Sequence, residues 1–182
     1  MFLTPQELDE LGFRSVGENP KISQFARFHN PQQISLGNNV RIDDFVVMSG
    51  NVSIGSNVHF SIHSSVISPR AHVSIGNFAT ISFYSCITSS NDDYSGKFMT
   101  NPTLPRTHTN VSDFDVKVEE HVIIGAHSLI LPGVTLNQGC AIGAYSLVKN
   151  NVPEWEVFAG VPARRIKARS KLLLDFSKNL DL

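Results

Sequence analysis

Ile123-Ile124-Gly125-Ala126-His127-Ser128-Leu129-Ile130-Leu131-Pro132-Gly133-Val134-Thr135-Leu136 decides the fold. Ile124, Ile130 and Leu136 fall six residues apart, and Ser128 and Val134 each follow four places behind an isoleucine. The rhythm continues outward through Val118, Ile142 and Val148. Upstream it runs through Leu36, Ile42, Met48, Ile54, Phe60 and Val66, then Ile75, Ile81 and Ile87. Glycine often comes next, at Gly37, Gly55, Gly76, Gly125 and Gly143, and the trailing position holds Val40, Val46, Val52, Val58, Val122, Cys140, Ser146 and Val152. Neither the helical period of 3.6 nor the strand period of 2 gives this spacing. A fixed short period signals stacked repeats. Each unit predicts one short strand and a turn, three units one triangular coil, and the stack a continuous aliphatic column.

The flanks are also legible. Residues 1–15 read as a short helical cap: Thr4 can cap a helix over residues 4–12, Pro5 suits its first turn, Glu7 completes a capping box, and Gly12 stops it. The repeat domain runs over 16–165, with an irregular joint near Phe28–Pro31 and three extra residues around Ser68–Pro69. The rhythm stops after Ile87. Residues 88–117 then carry turn signals, and a loop this long inside a compact repeat is usually functional. Residues 166–182, basic and then apolar, predict a C-terminal helix closing the stack, as terminal repeats must.

With 182 residues and 41% hydrophobic content, the chain suits one domain with a packed core. Its 15 basic and 16 acidic residues give no electrostatic case for nucleic acid. No apolar run approaches the roughly 18 residues of a membrane span, and the start lacks the pattern of a signal peptide. The expectation is a cytoplasmic protein without membrane insertion. Cys86 and Cys140 lack CxxC or metal-pair spacing and read as reduced thiols, Cys140 facing inward.

The stretch 123–136, its continuation Ala141-Ile142-Gly143-Ala144-Tyr145-Ser146-Leu147-Val148-Lys149, and the closing Ala159-Gly160-Val161-Pro162-Ala163-Arg164 resemble the hexapeptide-repeat acyltransferases. The likeness is to sugar and galactoside O-acetyltransferases and to N-acetyltransferases of nucleotide-linked amino sugars. It implies an all-β fold, a left-handed parallel β-helix. It also implies a homotrimer with sites between subunits, acetyl-CoA as co-substrate, and a sugar or nucleotide-sugar acceptor in surface-polysaccharide synthesis. Whether the acceptor atom is oxygen or nitrogen, which sugar carries it, and how long the acyl chain is stay open.

Acyl transfer needs a base, an oxyanion donor and two aligned reactants, and alignment alone is worth up to about 7–11 kcal/mol. The galactoside-type relatives carry their basic histidine in a Gly-His-Pro context before the loop. This chain reads Thr88-Ser89-Ser90-Asn91-Asp92-Asp93-Tyr94-Ser95-Gly96 there. An Asp-Asp-Tyr-Ser-Gly segment resembles a second subgroup with a histidine one or two coils earlier, which matches His63. Catalytic candidates are therefore His63 as base, with Asp92 to orient it, and Asp93. The resemblance further implies cofactor contacts at Ala126, His127 and Ala144, with Lys149, Arg164 and Lys167 for the phosphates. Tyr94, Asn101 and Arg106 in the loop are candidates for the acceptor. His121 and His127, six apart, are expected to stack on successive rungs of one side. No zinc-ligand spacing stands out, so no metal is expected. Two other readings are a non-catalytic binding subunit and a zinc enzyme resembling γ-class carbonic anhydrases.

Overall fold

The computed structural model describes residues 1–177. The chain winds as a parallel β-solenoid of three-sided coils. One side stacks strands at 21–22, 41–42, 59–60, 80–81, 123–124, 141–142 and 156–159. The second stacks 27–29, 47–49, 65–67, 86–88, 129–130 and 147–148. The third stacks 15–16, 34–36, 52–54, 73–75, 116–118 and 135–136. Rung partners lie 18 residues apart where the coil is regular, as in Arg41↔His59 and Ile123↔Ala141. Six residues therefore advance the chain by one side, not by one rung.

Every residue of the six-residue rhythm points inward. Ile42, Met48, Phe60, Val66, Ile81, Ile87, Ile124, Ile130 and Leu136 are fully buried. The trailing positions line the same column, Cys140 among them. Where that position holds serine, its hydroxyl stitches coils together. Ser85 Oγ donates to the Gly125 carbonyl (2.9 Å) and accepts from the Ser128 amide; Ser128 Oγ donates to the Gly143 carbonyl (3.1 Å) and accepts from the Ser146 amide. Buried hydroxyls are thus fully used, which their burial demands. Coils touch backbone to backbone at the corners: a Cβ on Gly125 would lie 2.5 Å from the Ala144 amide nitrogen, so only glycine fits there.

The three corners differ. At the first, between the first and second sides, Phe45, His63, Tyr84, His127 and Tyr145 all take left-handed backbone at φ 55–60°. For bulky residues this costs about 1–2 kcal/mol each. Their rings compensate by stacking along the solenoid axis: Phe45 on His63 (4.9 Å), His63 on Tyr84 (4.7 Å), Tyr84 on His127 (4.9 Å) and His127 on Tyr145 (4.7 Å), with Phe25 below Phe45. At the third corner, between the third and first sides, Asn39, Asn57, Phe78, His121 and Trp155 take the left-handed turn. His121 stacks there on Phe78 (4.9 Å). The expected pairing of His121 with His127 is therefore corrected, because they occupy different corners of one coil.

The long excursion departs at the second corner. Residues 90–91 and 112–113 pair antiparallel and form its base. Around it Cys86–Ile87 pairs directly with Leu129–Ile130, so the column is unbroken. The extra residues at Ser68–Pro69 widen the same corner within the strand Ser65–Ile75.

Both ends are covered. Helix α1, Pro5–Leu11, has the expected Thr4–Glu7 capping box, and Gly12 sits in left-handed backbone at its C-cap. The other end departs from expectation. Residues 164–168, of which 166–168 were expected in a closing helix, form a strand that turns back antiparallel on 156–159. Only helix α2, Leu173–Ser177, is helical there, and the expected helix beyond it lies outside the described residues. A returning strand pairs the last exposed edge of the first side, which a helix cannot do. Arg169 then reaches over the last coils and donates to the carbonyls of His121, Gly139 and Cys140 at 2.8–3.2 Å. Trp155 packs beneath, buried, with the Lys171 ammonium 5.5 Å from its ring centre.

Candidate active site

The candidate residues fall into two groups at opposite edges of the second side. The first group gathers at the aromatic corner. His63 sits between the Phe45 and Tyr84 rings, its faces covered and its ring nitrogens without a protein partner among the described residues. Ser82, one coil on, opens the turn before Tyr84; its amide donates to Ile124. Ala126 and Ala144 occupy the next two coils of this corner, and the Ala126 carbonyl accepts from the Tyr145 amide (2.8 Å). His127 stacks between Tyr84 and Tyr145. The terminal turn joins them: the Gly160 amide donates to Ser146 Oγ and the Ala163 amide to Leu147, which brings residues 160–164 onto the corner. Arg164 is exposed and donates only to the Ala163 carbonyl, and Lys167 projects from the returning strand. Lys149 lies across the second side, exposed and unpaired among the described residues.

The second group surrounds a cavity of about 400 Å³ under the excursion, lined by Arg70, Thr88, Asp92, Asn101 and Arg106 among others. That volume lies within the roughly 300–1,000 Å³ of small-molecule sites. Asp92 is exposed there and accepts no hydrogen bond from described residues. Asp93 turns away and holds its own loop, accepting from Ser95 Oγ (2.8 Å) and the Ser95 amide. Asn101 Oδ1 likewise accepts from Thr103. Tyr94 is 86% exposed and does not line the cavity. Arg70 was not singled out from sequence. Its Nε donates to Asp113 Oδ2 (2.5 Å), tying the widened corner to the returning strand of the loop.

Within one chain, His63 therefore does not meet Asp92. A four- to five-residue strand, roughly 15 Å long, separates the two groups. A different histidine does pair with a carboxylate. On the first side, His59 Nε2 lies 2.8 Å from Asp43 Oδ2, and Arg41 Nε donates to Asp43 Oδ1 (2.8 Å). Partial burial pushes the Asp43 carboxyl up, but the hydrogen bonds and charges of His59 and Arg41 outweigh it and hold it below its ordinary value. Among the described residues no group of three or more His, Cys, Asp or Glu side chains could hold a metal ion, and no described helix is long and apolar enough to cross a membrane.

No protein-family model matches the chain. Individual proteins do. The dTDP-4-amino-4,6-dideoxy-D-glucose acyltransferase of Escherichia coli is 46% identical over 177 residues, covering 96% of this chain and 92% of that protein. Among solved structures, AntD, an N-acyltransferase from Bacillus cereus, superposes with a TM-score of 0.95 at 41% identity, covering 97% of this chain and 95% of its own. That AntD chain carries a serine substitution and binds dTDP-4-amino-4,6-dideoxyglucose and coenzyme A; another, substituted at an aspartate ten residues further along, binds dTDP and coenzyme A. A hexapeptide-repeat acetyltransferase from Vibrio cholerae, complexed with acetyl coenzyme A, shares the fold alone, with a TM-score of 0.60 at 17% identity over 91% of this chain and 76% of its own. Near-complete coverage at 46% identity, on a solenoid built by the six-residue rhythm, shows that this chain is an acyltransferase belonging to the hexapeptide-repeat family.

Proposed function

We propose that the protein transfers an acyl group, acetyl or slightly longer, from acyl-CoA to the amino group of a nucleotide-linked amino sugar, a dTDP-linked 4-amino-4,6-dideoxyhexose. The observation that carries this reading is a spacing. The two residues substituted in the AntD complexes are a serine and an aspartate ten positions later. In this sequence one serine–aspartate pair alone has that spacing, Ser82 and Asp92. Ser82 lies at the aromatic corner and Asp92 in the loop cavity, one residue from each group.

Because the two lie at opposite edges of one side, a ligand that touches both needs two chains. We infer a cyclic homotrimer in which the aromatic corner of one copy meets the loop cavity of the next. The outward residues of the second side, Val47, Ile67, Leu129, Leu131 and Leu147, are half-buried and apolar, which suits such a contact. In that groove the backbone at Ala126 and Ala144 runs beside the pantetheine arm, and Arg164, Lys149 and Lys167 answer the coenzyme's phosphates. The Asp92 carboxylate holds the acceptor amine. The nitrogen lone pair attacks the thioester carbonyl carbon, the C–S bond breaks, and coenzyme A leaves as thiolate. Ser82 Oγ–H donates to the developing oxyanion. His63, its ring faces clamped and its nitrogens free, takes the proton released by the nitrogen and passes it to the thiolate, giving amide and thiol. The acceptor and donor are cytoplasmic metabolites, and the reaction supplies an N-acylated sugar for surface-polysaccharide assembly.

The direct test is incubation with acetyl-CoA or 3-hydroxybutyryl-CoA and dTDP-4-amino-4,6-dideoxyglucose, following thiol release and product mass. Transfer to hydroxyl sugars with none to amino sugars would overturn the reading. The shared site has its own test. Ser82→Ala and Asp92→Asn variants are each inactive alone. Coexpressed, they recover activity, because with random assembly about a quarter of all sites draw both intact residues from different chains. Absence of any recovery would place both residues in one subunit.

A further inference from the structure

We propose that Arg70 and Arg106 form a clamp for the diphosphate of the nucleotide-linked acceptor, with Asp113 as the positioning residue that sets Arg70. The proposal rests on the acceptor reading above and adds the part of the ligand that reading leaves unheld.

Both arginines line the loop cavity together with Asp92. Arg70 spends only its Nε, on Asp113 Oδ2 (2.5 Å), which leaves its two terminal amines without a protein acceptor among the described residues. Asp113 belongs to the short strand that closes the base of the excursion, opposite Ser90, so the anchored guanidinium is fixed to two elements at once. The Arg106 side chain makes no hydrogen bond or ion pair among the described residues. A planar fork of donors matches phosphate oxygens in pairs, and one already held at Nε loses little freedom on binding.

The pairing of charges selects the ligand. Coenzyme A also carries a pyrophosphate, but its reactive end is a neutral thioester with no use for a carboxylate beside the phosphate site. An amino-sugar nucleotide carries a diphosphate at one end of the hexose and an amine at the other. The cavity is lined by two arginines and by Asp92, whose carboxylate has no described partner, so it offers cations for the diphosphate and an anion for the amine. Neither arginine serves the column. Arg70 lies in the widened corner and Arg106 in the excursion, the two places where the repeat is interrupted.

The test is calorimetric titration of the full-length protein with dTDP and, separately, with coenzyme A. Arg106→Gln and Arg70→Gln are expected to weaken dTDP binding roughly 10- to 100-fold while coenzyme A affinity stays within about twofold. Arg106→Gln removes no described side-chain contact, so its melting temperature should match wild type and the fold is not in question. Asp113→Asn should weaken dTDP binding less than Arg70→Gln and leave coenzyme A alone, with the effect in KM for the nucleotide sugar rather than in kcat. Unchanged dTDP affinity in Arg106→Gln overturns the clamp, and so does parallel loss of coenzyme A binding, which would assign these arginines to the donor. Loss of dTDP affinity as expected, with no acyl transfer to any amino sugar, upholds the clamp and overturns the acceptor reading. Wild type that acylates a free amino sugar but binds no dTDP does the reverse.

Discussion

His63 and Tyr84 lie face to face, ring centres 4.7 Å apart and planes 5° from parallel, each on a backbone held at positive φ. The stacked rings and the left-handed turn are therefore two parts of one device, and their separation is measurable. Tyr84→Ala loses three ring contacts, the stacks on His63 and His127 and an edge contact with Phe83, worth about 0.5–1.5 kcal/mol each. Tyr84→Gly loses the same contacts but relieves the backbone. In a regular element glycine is worse than alanine by roughly 0.5–1 kcal/mol; here Tyr84→Gly should be at least as stable as Tyr84→Ala in urea unfolding. A glycine variant less stable than the alanine variant by a full kcal/mol would refute the coupling.

Arg169 supplies three backbone carbonyls of the last coils with one guanidinium. Burial pushes its pKa down, with the Cys140 thiol as a weaker opposing influence. Replacement by methionine keeps much of the packing and strands the carbonyls. A loss of about 2–3 kcal/mol in unfolding free energy is expected. Calorimetry should show a lower, still cooperative transition; an unchanged one would mean the terminal strand holds the end by itself.

The two thiols should be silent in the native protein. Burial pushes Cys140 up to about 12, against a weaker downward pull from Arg169, and burial raises Cys86 despite its contact with Ser65. Because the thiolate is the reactive species, neither should react with a disulfide reagent at pH 8 on the timescale of an activity assay. Both should react after denaturation. Rapid titration of one thiol in native protein would contradict the packing of the column.

The Asp43 carboxyl titrates below its ordinary range, so the folded state prefers its charged form. The stabilisation is therefore present above the unfolded carboxylate value, near 4, and fades as pH falls through the lower folded value. The melting-temperature gap between wild type and Asp43→Asn should be constant from pH 7 to about 5 and shrink below 4. A gap that widens in acid would reverse the sign and point to repulsion at this site.

The inward column was legible at its six-residue positions from Leu36 to Val148, because a large apolar residue every six positions marks one side of the coil after another; Val73 and Val116, two places before Ile75 and Val118, are buried as well and were not read. The rungs were less so. Periodicity says which residues face inward, not which ones stand above one another, and His121 and His127 were misplaced for that reason. The unit of stacking is the coil, 18 residues where regular, so the partner of His127 is Tyr145 rather than His121. The same unit would have revealed the Phe45–His63 and His127–Tyr145 steps from spacing alone. Ser82 carried no signal within a serine-rich turn, and Arg70 carried only a faint one, in the extra residues beside Pro69. The closing strand at 164–168 was read as helix from residue 166 onward, because a basic and then apolar terminal run resembles the capping helix that ends a repeat stack. The need to pair an open sheet edge decided the outcome, and that need is invisible until the sheet exists.

The bridging of Cys86 to Leu129 around the excursion has a consequence for how such proteins diversify. The chain leaves the scaffold and rejoins it at the same corner; Ser89, bonded to Ser68 and Ile67, and Asp113 and Asp115, which accept from Arg70 and the His72 amide, fasten its ends, so residues 92–111 between them behave as a cassette whose length and lettering can drift without disturbing a rung. Grafting another relative's segment between Asn91 and Ser112 should therefore exchange what is acylated while the machinery that delivers the acyl group is inherited intact.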